Sequence, residues 1–215
     1  TAESLAGARS ASLVAATNAT SSVLRNRVTV EDSTIAVTET VALLPNDVVD
    51  LHVTGNTISA GDASLTGAVT MVLAGQGVIE VTGNDFTFRS NFNIQAADLA
   101  GGTLVVTDNS FTSVSETSGI AQFVGLDGSC SITENVFVLD DPSDVNTQGF
   151  VPGCISTLPS STFTVSGNEV SATGSPGSGM AVIGSGMQEL TFNDNQVTIE
   201  TMFSLTTTAS ATNFI

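Results

Sequence analysis

Apolar and polar residues alternate along this chain in short bursts, and nowhere is the i, i+3, i+4, i+7 spacing of an amphipathic helix sustained. The bursts repeat a phrase. Leu51 to Ser59 reads LHVTGNTIS and Ile79 to Thr87 reads IEVTGNDFT. Leu104 to Thr112 reads LVVTDNSFT, and Cys130 to Val138 reads CSITENVFV. Phe163 to Ser171 reads FTVSGNEVS, and Leu190 to Thr198 reads LTFNDNQVT. A weaker copy, SSVLRNRVT, runs from Ser21 to Thr29. Each phrase centres on an asparagine: Asn26, Asn56, Asn84, Asn109, Asn135, Asn168 or Asn195. The intervals are 30, 28, 25, 26, 33 and 27 residues, a period that marks solenoids and propellers.

Three residues before each Asn stand Val23, Val53, Val81, Val106, Ile132, Val165 and Phe192. Two residues after it stand Val28, Ile58, Phe86, Phe111, Phe137, Val170 and Val197. Strands prefer such β-branched and aromatic side chains. The residue just before the Asn is Gly55, Gly83, Gly167, Asp108, Asp194 or Glu134, with Arg25 in the weak copy. Gly and Asp tolerate positive φ, so the phrase reads as two strands joined by a sharp corner; Glu134 and Arg25 fit that reading less well. A further apolar segment, such as Ala68–Leu73, Ile120–Val124 or Met180–Ile183, lies between phrases and is followed by glycine. Each unit is therefore strand, corner, strand, loop, strand, loop.

Short strands repeated in this way predict an all-β fold, a right-handed parallel β-helix of about seven coils, because one coil cannot bury its apolar face alone. A propeller blade needs a longer unit, and a sandwich needs no fixed phrase. The recurrent Asn sits among inward positions, where an unpaired amide is costly. Stacked Asn side chains are therefore expected to form an internal hydrogen-bonded ladder. Phe86, Phe111 and Phe137 are expected to stack inside the core. The whole of 1–215 is read as one β-helix domain: a partial or irregular first coil over 1–20, regular coils over 21–200 and a partial last coil over 201–215. The ends read as the middle and the start of coils, which suggests a segment of a longer protein or end-to-end stacking of copies.

The VTGNxFT phrases resemble the coils of right-handed parallel β-helix proteins of the pectate-lyase-like superfamily, for which an asparagine ladder is known. VTGNTISA (Val53–Ala60) and VTGNDFTF (Val81–Phe88) are also similar to strings in the dispersed gene family surface proteins of trypanosomes. The first resemblance implies the architecture. The second implies a surface location and a role in adhesion.

Composition narrows the functional classes. The net charge is -17, with 21 acidic and 4 basic residues and no lysine, yet mean hydropathy is +0.31. Nucleic acid and anionic membrane surfaces call for clustered Lys and Arg, so both are disfavoured as partners. No apolar run reaches the length of a membrane span. Lyases of the resembling superfamily use a basic residue for proton abstraction and aspartates for Ca²⁺; here Arg9, Arg25, Arg27 and Arg89 are the only permanent cations. Asp140, Asp141 and Asp144 form an acidic stretch around Pro142, read as a solvated loop with a calcium site as the sharper alternative. His52, the only histidine, alternates with Leu51 and Val53 and should face outward; neither a catalytic triad nor a zinc site is supported. The Thr54, Thr82, Thr107 and Thr133 column suggests ice binding, but His52, Glu80, Val105 and Ser131, two positions earlier, make no matching Thr column.

Cys130 and Cys154 are about one coil apart, which leaves a bridge between successive coils and two buried thiols both open. Asn18 heads the single glycosylation sequon, Asn18-Ala19-Thr20. The expected function is a non-enzymatic, extracellular or cell-surface adhesive or structural stalk with no cofactor and no metal. Its partner would be a protein or glycan surface ligand, or further copies of itself. A carbohydrate-binding or polysaccharide-processing β-helix and a self-assembling filament subunit are the alternatives.

Overall fold

A computed structural model describes residues 11–13, 27–43, 50–61, 68–74, 77–88, 91–97, 101–114, 120–141, 148–156, 158, 160–174, 179–199, 202–208 and 213–214. Among these there is no helix, and every strand pairing is parallel. The strands fall in strict rotation into three sheets, so the chain is a parallel β-solenoid. The first sheet stacks eight strands from Ala11–Leu13 to Met202–Thr208. The second stacks eight from Arg27–Glu31 to Asn213–Phe214, and the third seven from Thr34–Val37 to Gln196–Ile199. Two sheets are thus one strand deeper than the expected seven coils, because Met202–Thr208 and Asn213–Phe214 add another layer.

The repeated phrase supplies the second and third sheets, and the intervening apolar segment supplies the first. Thr103–Thr107, for example, pairs with Val78–Thr82 on one side and Ser129–Thr133 on the other, residue for residue. In-register pairing stacks equivalent side chains about 4.8 Å apart. One inward column of the second sheet is Val30, Val53, Val81, Val106, Ile132, Val165 and Phe192. Another runs Leu51, Ile79, Leu104, Cys130, Phe163 and Leu190. The third sheet contributes Ile35, Ile58, Phe86, Phe111, Phe137, Val170 and Val197. From Ile35 and Leu51 onward these columns form one continuous core, with Val28, Phe192 and Val197 only partly buried against it. Burying a side chain of this size contributes about 1.5–3 kcal/mol.

The expected aromatic stack is present. Phe86 and Phe111 lie 5.1 Å apart between ring centroids at 7°, and Phe111 and Phe137 lie 4.7 Å apart at 5°. All three are fully buried.

The weak first copy has a different register. Val28 pairs with Leu51 and Val30 with Val53, so Val28 belongs to the second sheet. The place equivalent to Asn56 is therefore Ser33, and the corner residue is Asp32. Asn26 itself lies outside the described residues, as does Asn18.

At the corner between the second and third sheets, Gly55, Gly83, Asp108, Glu134, Gly167 and Asp194 all have φ between 53° and 66°. The backbone there pairs in both directions. Gly83 N–H donates to Thr107 O in the following coil at 3.2 Å, and Asp85 N–H donates to Asn56 O in the preceding one at 2.8 Å. The left-handed conformation costs an L-residue about 1–2 kcal/mol, so Glu134, at φ 55°, holds a strained place that glycine fills in other coils. A second local cost lies at Ser113, which is buried in register with Phe88 and whose hydroxyl has no hydrogen-bond partner. Both Glu134→Gly and Ser113→Ala should raise stability, each by about 1 kcal/mol, read as higher midpoints in denaturant titration.

Candidate functional site

Two features of the solenoid are built by its register: a ladder of amides inside one corner, and a hydroxyl-bearing face outside the second sheet. The ladder has a repeating hydrogen-bond pattern. Asn109 Nδ2 donates to Val81 O at 2.8 Å in the preceding coil, to Thr107 O at 2.9 Å in its own, and to Asn135 Oδ1 at 3.0 Å in the next. Its backbone N–H also donates to Asn135 Oδ1, at 3.0 Å. Asn56, Asn84 and Asn135 repeat this set with their own neighbours. Asn168 does so as well, and Asn195 closes the described run by accepting from Asn168 and donating to Val165 O at 2.9 Å. At the other end the Ser33 N–H donates to Asn56 Oδ1 at 3.0 Å, while its hydroxyl turns to Glu31 O. Serine thus carries the ladder on through its backbone alone. The sequence signal for this place was the alternation of Val28, Val30 and Ile35 around Asp32-Ser33, which contains no asparagine.

The asparagines from Asn56 to Asn168 are buried, so the ladder is structural and meets no solvent-borne ligand. Asn195 is only half-buried. Truncating Asn109 leaves the Asn84 N–H without its partner and removes one rung on each side. A buried orphan costs about 1–3 kcal/mol, so Asn109→Ala should lose about that much by chemical denaturation. Asn195→Ala should lose less.

The outer face of the second sheet divides along its length. Ionic side chains lie in its first three layers and again at Glu189. Arg27 lies 3.5 Å from Asp50, and His52 Nδ1 lies 2.8 Å from Glu80 Oε2 in the next coil. His52 therefore points outward, as its alternation predicts, although its Nε2 is buried without a hydrogen-bond partner. The following three layers are different. Thr103, Val105 and Thr107 lie over Ser129, Ser131 and Thr133, and these over Thr162, Thr164 and Ser166. This patch has no charged side chain, and every outward residue except Val105 bears a hydroxyl. Thr133 Oγ1 donates to Thr107 Oγ1 at 3.2 Å. Ser129 Oγ accepts from the Thr162 N–H at 3.1 Å. Exposed Asp108 and Glu134 stand at the neighbouring corner. The Thr column seen in the sequence is one edge of this patch. Its partner columns became visible only once the layers beyond Thr133 were in register.

Cys130 and Cys154 form a disulfide with Cα atoms 6.1 Å apart. Cys130 belongs to the second sheet and Cys154 to the first-sheet strand Gln148–Ile155 of the next coil, so the bond clips adjacent coils. A cross-link over this separation contributes about 3 kcal/mol. Asp140 and Asp141 end the third-sheet strand Val136–Asp141, while Asp144 lies outside the described residues.

The fold and the ladder together define the class, a parallel β-solenoid with an internal asparagine ladder. No family model, no curated protein and no solved structure matches the chain.

Proposed function

We propose that this chain is a non-enzymatic adhesive or structural segment of an extracellular, surface-displayed β-helix stalk. The observation that carries the reading is the uncharged hydroxyl face formed by Thr103–Thr107, Ser129–Thr133 and Thr162–Ser166 in a chain of net charge -17. Such a face can exchange its water for the polar groups of a neutral ligand without first burying a charge. The stacked sheets hold the hydroxyls in place, so little side-chain entropy is lost on contact. The disulfide supports an oxidising compartment, where such bonds persist. The resemblance of the VTGN phrases to pectate-lyase-like β-helices and to the dispersed gene family surface proteins of trypanosomes supports the same reading. The partner proposed is a neutral glycan or a protein surface, met along the side of the rod.

The test is an array of glycans and extracellular proteins, probed with and without calcium. The expected result is binding that falls at least tenfold in Ser131→Arg and Thr164→Arg. Val138→Arg, on the exposed outer face of the third sheet, should leave it unchanged. Equal loss in all three variants would remove the hydroxyl face from the account. Release of sugar fragments from a bound glycan would favour the polysaccharide-processing alternative.

A further inference from the structure

We infer that the Cys130–Cys154 bond is a latch that halts unwinding of the solenoid and opens to reductants only after the stack on one side has come apart. Both cysteines are buried, Cys130 at 2% exposure and Cys154 at 0%. Cys130 stands in register between Leu104 and Phe163, and Cys154 between Gly125 and Gly184. A thiolate must reach one sulfur directly to displace the other, so the stacked coils block the exchange.

A solenoid loaded through its ends comes apart layer by layer, because each coil contacts only its neighbours. Unwinding from the C-terminal side removes the layers of Met202–Thr208, Gly179–Ser185 and Thr162–Ser166 before it reaches Gln148–Ile155. There the load passes from Cys154 through the sulfurs to Cys130, and the intervening 131–153 cannot be drawn out. Reduction then proceeds in two balanced steps. One thiolate of a small dithiol attacks a cystine sulfur to give a mixed disulfide, and the other cysteine leaves as a thiolate that takes up a proton. The second thiol of the reductant closes onto the mixed disulfide and releases the second cysteine. The protein gains two electrons and two protons, and the dithiol becomes a cyclic disulfide. The freed segment, a sequence separation of 24 residues, adds about 80 Å at 3.3–3.6 Å per residue.

This latch does not depend on the stalk reading. A rod that binds nothing would still show it, and a failed latch would leave binding untouched. The experiment is single-molecule extension of the full chain by its two ends, with and without a small dithiol in the bath. Without dithiol the final contour length should fall short by about 80 Å. With dithiol, a step of that size should appear only after earlier unfolding steps. Unloaded native protein in the same dithiol should resist alkylation at both cysteines. A full contour length without dithiol would overturn the proposal. So would native protein that is reduced and alkylated as fast as denatured protein.

Discussion

A carboxamide buried at a bend of the chain must find partners for two N–H donors and a carbonyl oxygen, and in this protein the same amide one coil away, together with the strand carbonyls beside it, provides them. That requirement fixes the rest. From Asn84 to Asn195 each Asn oxygen accepts both the backbone N–H and the side-chain N–H of the preceding Asn, as Asn135 Oδ1 does for Asn109 at 3.0 Å. Each Nδ2 also reaches back to a second-sheet carbonyl such as Val81 O. A slip of one residue between coils would break every rung and turn the apolar columns outward together. The ladder is therefore a register pin, and the columns of valine and phenylalanine follow from it.

The pin also explains the surface. With register fixed, outward residues of successive coils form columns as regular as those in the core. Like charges in one column would repel at the strand spacing. Where two charged side chains meet in one column of the second sheet, they are of opposite sign, as in Arg27 with Asp50. In the next three layers the outward columns are neutral, apart from the acids at the corner. The acidity that dominates the composition is thus absent from part of one face, and that contrast gives the hydroxyl patch its interest.

Much of this was legible in the sequence, for a physical reason. The period-2 alternation around a corner residue marks the strands, and an Asn recurring among buried positions has few other stable solutions. The ladder from Asn56 to Asn195 and the stack of Phe86, Phe111 and Phe137 were read from those signals. The first copy was misplaced because Ser33 extends the ladder through its backbone N–H, so no asparagine marks it. The first sheet carried the weaker signal. Its strands contain glycines, and its register shifts between Gln148 and Phe150. The cysteine pairing stayed open because a separation of one coil suits both a bridge and two thiols. Only the positions of the second-sheet strand Ser129–Thr133 and the first-sheet strand Gln148–Ile155 decide it. The hydroxyl face was hidden because it needs three columns over three layers, and the Thr column from Thr54 to Thr133 reaches only two of them, at Thr107 and Thr133.

Buried amides, hydrogen-bonded from coil to coil, hold the stack in register. Hydrogen exchange of the asparagine side-chain NH₂ groups, followed by NMR in deuterated water, tests it most directly. The Nδ2 protons of Asn84, Asn109 and Asn135 should persist with the core backbone amides, while those of exposed Asn193 vanish at once. Exchange of the ladder amides as fast as Asn193 would contradict it.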